Sequence, residues 1–120
     1  MKPTNKRNPH LVELIENLLR QSREHEAKIW RDVAERLAKS RKNWAEVNIG
    51  RVARHASKGE TILVPGKLLG SGEIDFPVTV ASFKASASAV EKIEKAGGKV
   101  ITIEQLMKER PDGSGVRIMG

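Results

Sequence analysis

The sequence predicts an α/β fold in which a helical N-terminal part is followed by irregular β-β-α units. Three observations predict it. Apolar residues recur at helical spacing between residues 9 and 57. From Thr61 onward, short β-branched runs alternate with turns marked by Gly and Pro. Asn, Ser and Thr stand at the positions where helices need caps.

Residues 1–7 contain Pro, Thr, Asn, Lys and Arg and nothing to bury, so they read as a basic tail, disordered when free. Asn8-Pro9 opens the first helix, because Asn caps well and Pro at the first helical position forfeits only an N–H that would be unpaired. Leu11, Leu14, Ile15, Leu18 and Leu19 form its apolar stripe, and it ends near Ser22–Glu24. A second helix spans about Ala27–Lys39, with Ile29, Trp30, Val33, Ala34 and Leu37 inward. Ser40-Arg41-Lys42-Asn43 is a basic break. A third helix covers Ile49–Ser57, capped by Asn48.

Thr61–Val64 reads as a strand stopped by Pro65-Gly66, and Gly70-Ser71-Gly72 as a turn. Val78–Phe83 alternates as a second strand. Ser86 or Ser88 caps the next helix, which Gly97-Gly98 terminates. Lys99–Thr102 is a further strand, Thr102…Gln105 has capping-box spacing for a short helix to Arg110, and Val116–Met119 is a last edge strand. Residues 1–60 form the basic tail and helical part and 61–120 a small α/β core, the two packing as one compact unit of 120 residues.

The chain carries 22 Lys+Arg against 15 Asp+Glu, a formal charge of +7. Residues 1–60 hold 14 basic and 8 acidic side chains, and eight of the ten Arg. Such an excess describes partners, not fold: it favours nucleic acid or an anionic membrane surface. No apolar run approaches the ~20 residues that span a bilayer, and no apolar signal core follows the basic N-terminus, so a cytoplasmic protein is expected. The absence of cysteine excludes disulfides, thiolate chemistry and Cys-based zinc sites.

Enzyme signatures fail on spacing. Gly59 and Gly66 have six residues between them and Leu68 follows Lys67, which breaks the nucleotide P-loop. After Gly70 and Gly72, the third place of a dinucleotide fingerprint is Asp75. His10, His25 and His55 form no i, i+4 pair for a metal. Glu73 and Asp75 form a carboxylate pair near a turn, but nothing supplies a nucleophile beside them. No catalytic residue, metal, cofactor or small-molecule substrate is assigned.

The basic residues are the informative set. Lys2, Lys6, Arg7, Arg20, Arg23, Lys28, Arg31, Arg41, Lys42, Arg51 and Arg54 are the cationic candidates for RNA binding, with His10 beside the tail. Gly66, Lys67, Gly70, Ser71 and Gly72 belong either to a plain turn or to a loop that lets backbone amides and Lys67 approach a phosphate. Trp44 either stacks on RNA or packs in the core. Helix 2 shows no reader set for a DNA groove and no strand carries an RRM-type aromatic pair, so folded RNA held by phosphate contact and shape is expected. A DNA-binding regulator and an RNA-modification accessory protein remain as alternatives.

Val64-Pro65-Gly66-Lys67-Leu68-Leu69-Gly70-Ser71-Gly72, Val78-Thr79-Val80-Ala81, Phe83-Lys84-Ala85-Ser86-Ala87 and Ala96-Gly97-Gly98 resemble the archaeal and eukaryotic large-subunit ribosomal protein eighteen-e family, related to bacterial ribosomal protein fifteen. Lys6–Leu11, Trp30 and Glu46-Val47-Asn48-Ile49 extend the likeness along the whole chain. The resemblance implies a non-catalytic constituent of the large ribosomal subunit that stabilises large-subunit rRNA and meets neighbouring ribosomal proteins. It also implies that Gly66, Lys67, Gly70 and Gly72 form a loop against RNA. Phe76-Pro77 departs from the basic or small polar residues that the resemblance leads one to expect there.

Overall fold

A computed structural model of the chain describes residues 8–120. The Asn8 carboxamide oxygen accepts the His10 N–H at 2.9 Å, and helix α1 (Pro9–His25) runs from that cap. Its stripe of Leu11, Leu14, Ile15 and Leu18 is buried. Glu26, in the left-handed region at φ 50°, reverses the chain into α2 (Lys28–Leu37). α2 folds back on α1, burying Trp30, Val33, Ala34 and Leu37. The fully buried Trp30 donates its indole N–H to the Pro111 carbonyl at 2.8 Å, so its one polar atom is satisfied.

A 3-10 turn (Arg41–Asn43) leads to strand β1 (Ala45–Asn48), which the sequence reading lacks. α3 (Ile49–His55) follows at once, and Asn48 makes no side-chain capping bond, contrary to expectation. Then come β2 (Thr61–Leu69), β3 (Thr79–Ala85), α4 (Ala87–Lys95), β4 (Lys99–Thr102), α5 (Ile103–Glu109) and β5 (Val116–Ile118). Ser86, not Ser88, caps α4, accepting the Ala89 N–H at 3.2 Å. Thr102 and Gln105 close the expected capping box on α5, at 2.9 and 3.1 Å.

All five strands pair in parallel, in the order β1-β2-β3-β4, with β5 beside β2 as well. Two short strands share one edge of β2: β5 pairs Thr61–Leu63 and β1 pairs Gly66–Leu69. β2 therefore does not stop at Pro65-Gly66, as expected, but runs through them. The ladder to β3 slips between Val64 and Lys67, and this irregularity accommodates a residue with no N–H to give. Gly66 is buried, and a β-carbon there would strike the Ala45 carbonyl oxygen, so its missing side chain is what admits β1. The expected loop across Gly66 and Lys67 is corrected accordingly: both are strand residues, and the loop begins at Gly70.

Alternate residues of the sheet feed two cores. Leu63, Ala81 and Ile101 pack with α1, α2 and α5, while Ile62, Val64, Val80 and Leu68 pack with α3 and α4. Each such buried aliphatic side chain contributes about 1.5–3 kcal/mol. The parallel sheet is thus covered on both faces, as parallel sheets are.

Candidate nucleic-acid interface

The structure divides the predicted residues into separate groups. Lys2, Lys6 and Arg7 lie outside the described residues. Arg23 and Lys28 are exposed at the α1–α2 turn. Trp30 and Ile29 beside that turn meet Pro111 and Gly113, and Arg110 reaches Thr61 at the start of β2, so this turn lies toward the beginning of the strands. Arg20 is held by the Asn17 carboxamide at 3.0 Å. Arg31 pairs with Glu35 at 3.2 Å along α2, as Arg36, outside the predicted set, does with Asp32 at 2.9 Å. Such exposed i, i+4 pairs are worth only ~0.3–0.5 kcal/mol each, yet they do neutralise that face.

The other candidates lie around β1 and β2: Arg41 and Lys42 precede β1, Arg51 and Arg54 are on α3, which follows it, and Lys67 is within β2. Arg41, Lys42, Arg51 and Arg54 are exposed, Lys67 is half-buried, and none has a carboxylate within 4.0 Å among the described residues. His10, at the head of α1, lies nearby with its ring centroid 6.1 Å from that of Phe83. Its Nε2 is 3.0 Å from Glu104 Oε2, so it already has a partner within the fold.

Trp44 follows Arg41 and Lys42 and is 6% exposed. Its indole N–H is shared between the Leu37 and Lys39 carbonyls at 3.2 and 3.1 Å, which satisfies acceptors left open at the end of α2. Its ring meets Phe83 edge-on at 5.1 Å, and the Arg41 guanidinium lies 5.3 Å from its centroid. Buried in this way, Trp44 offers no open face for a base; its contribution is to seat Arg41.

The Gly70-Ser71-Gly72 loop is pinned from both sides. The Gly50 N–H, at the head of α3, donates to the Ser71 carbonyl at 2.9 Å. From α4, the Lys92 ammonium donates to the carbonyls of Gly70 and Gly72 at 2.7 and 2.6 Å and pairs with Glu73 at 3.3 Å. A β-carbon at Gly70 would strike the Ser88 hydroxyl, and Gly72 adopts φ +99° against Gly50. Close packing thus accounts for both glycines. A β-carbon at Gly50 would stand 3.6 Å from Arg54 Nη1 and 3.7 Å from the Ser71 oxygen, so the Arg54 guanidinium borders this loop. Exposed Ser71 is its tip.

One cation missed in the sequence is Lys84, which is exposed and stands directly across from Lys67 in the β2–β3 ladder. No sequence signal marks it, because the register that brings the two together depends on the slip at Pro65. Among the described residues, no group of three or more His, Asp or Glu is placed to hold a metal ion, and no helix is long and apolar enough to cross a membrane.

The fold is a doubly covered parallel sheet of the α/β class, with exposed cations around β1 and α3 that have no carboxylate partner among the described residues. Over residues 1–120 the chain matches the family described as ribosomal protein 60S L18 and 50S L18e, and it belongs to that family. It is similar to the large ribosomal subunit protein eL18 of Methanospirillum hungatei, 54% identical over 95% of this chain and 94% of that one. The protein of that name from Archaeoglobus fulgidus is 52% identical over 95% of this chain and 97% of its own. That of Methanococcus maripaludis is 46% identical over 99% of both.

Proposed function

We propose that this protein is a structural constituent of the large ribosomal subunit in the cytoplasm, binding and stabilising large-subunit rRNA through phosphate contacts and shape fit, without catalysis. Arg41, Lys42, Arg51, Arg54 and the Ser71 loop form its main RNA-facing surface. The basic tail, Lys2, Lys6 and Arg7, adds contacts, and neighbouring ribosomal proteins meet the rest. Trp44 and Gly66 act from inside the fold, and Arg20, Arg23, Lys28 and Arg31 form a separate, secondary surface.

The observation that carries this reading is the set of exposed arginines and lysines around β1 and α3 that have no carboxylate partner among the described residues, in a member of this family. Arg grips phosphate with two hydrogen bonds where Lys acts as a point charge. Phosphates supply the counter-charge that the fold withholds. Of the two carboxylates an RNA-modification accessory would use, Glu73 is paired with Lys92, and Asp75 is exposed with no nucleophile assigned beside it.

Co-sedimentation with large subunits through high-salt sucrose tests the reading: the protein is expected in the particle fraction, and protein left wholly in the supernatant overturns it. In solution, Arg41→Ala with Lys42→Ala is expected to weaken binding to large-subunit rRNA and lower the slope of log K against log salt by about 1.5. Equal affinity for random duplex DNA would count against RNA as the partner.

A further inference from the structure

We propose that Lys67 and Lys84 form a two-phosphate clamp that grips neighbouring phosphates of one RNA strand, with Arg41 at its margin. The proposal rests on the rRNA-binding reading above and adds Lys84, the cation that only the register brings into play. The two lysines are direct partners in the parallel β2–β3 ladder. Like charges facing each other across a ladder are destabilising, and lysine is a poor strand former. Two in register is therefore an arrangement the fold alone disfavours.

The one opposing charge in register with the pair is Glu46, the partner of Lys67 on the β1 side. Neither ammonium makes a hydrogen bond or ion pair with a described residue. Glu46 comes within 4.0 Å of no cation among the described residues, so it offsets the repulsion without neutralising either lysine. Both backbones are fixed in the sheet, Lys67 between β1 and β3, so little ordering is needed to present the pair. Arg41 is tied to the same spot through contacts already described: it lies over Trp44, which meets Phe83, the residue before Lys84.

The ligand class follows from the donors. Two point charges on separate strands, with no converging backbone N–H groups, suit successive charges of a phosphodiester chain better than one small anion.

The test is binding of the full chain to in vitro transcribed large-subunit rRNA over a range of salt concentrations, comparing wild type, Lys67→Gln/Lys84→Gln and a control, Lys95→Gln/Lys108→Gln. The clamp variant should lose about 1.5 from the salt slope, and the control should keep the wild-type slope. Lys84 is exposed and Lys67 half-buried, so the variant should stay folded, with a melting temperature near that of wild type. Inorganic phosphate at millimolar concentration should not compete; full competition would make the site a pocket for a free anion and overturn the clamp. A clamp variant that keeps the wild-type slope, or falls no further than the control, also overturns it while leaving the rRNA-binding reading intact. A wild-type chain that shows no salt-dependent RNA binding sinks both.

Discussion

Replacing Gly66 by alanine places a methyl group where β1 and β2 touch. The new carbon would meet the Ala45 carbonyl oxygen and stand 3.0 Å from both the backbone nitrogen and the carbonyl carbon of that residue. These are main-chain atoms, so no side-chain rotation relieves the clash. Either β1 moves away, breaking the register from Ala45↔Gly66 to Asn48↔Leu69, or β2 distorts at its slip. Overpacking a core costs about 1–3 kcal/mol, and a clash with backbone belongs at the top of that range. Taking ~2.1 cal/mol/K per residue as the unfolding entropy, a 120-residue chain loses about 12 °C of melting temperature for 3 kcal/mol. Gly59→Ala is the control: Gly59 has φ +80° but open space around it, so only the backbone penalty of about 1–2 kcal/mol applies. Calorimetry or circular dichroism melts of the two variants decide the matter. Equal losses, or a Gly66→Ala protein within two or three degrees (roughly 0.5–0.75 kcal/mol) of wild type, would refute the claim that Gly66 exists to admit β1.

Three further outcomes are expected. Trp44→Ala should cost about 3–5 kcal/mol of stability, seen in denaturant titration; a normally stable protein with weakened RNA binding would instead make Trp44 a stacking residue. Lys92→Met should lower stability by only ~1–2 kcal/mol, since the released carbonyls regain water. It should also speed hydrogen exchange at the Gly50 amide, which bonds Ser71; unchanged exchange there would mean that the loop is held without the lysine. Thr102→Ala removes the α5 capping box and should cost about 1 kcal/mol, read as a shift in denaturation midpoint at constant slope.

Much of the fold was legible because it is written in local chemistry. The Asn8 cap, the stripes of α1 and α2, and the Thr102–Gln105 box depend on residues within a few positions of each other, and each stands as expected. β1 was not legible, since Ala45-Glu46-Val47-Asn48 buries only Val47 and has no β-branched run; it is a strand because β2 offers it an edge. Pro65-Gly66 misled for the same reason: a local stop signal was overruled by partners on both sides. For the interface, charge asymmetry pointed to a polyanion but could not separate Arg41 and Lys42 from Arg31, which Glu35 holds. Nor could composition tell an outward Trp from one buried at 6% exposure.

The long reach between the first helices and the end of the chain has a consequence for synthesis. Gln21 hydrogen-bonds the Met107 carbonyl 86 positions later, and Trp30 the Pro111 carbonyl 81 positions later. At ~5–20 residues per second, those partners leave the ribosome roughly 4–17 s after the helices that need them. Until then the nascent hairpin can rest on β2 and β3 but lacks α5 and the carbonyls that satisfy Gln21 and Trp30. The core around α1 and α2 is thus completed only after residues 107–111 are made, and the interval before that is when a holding chaperone has greasy surface to bind.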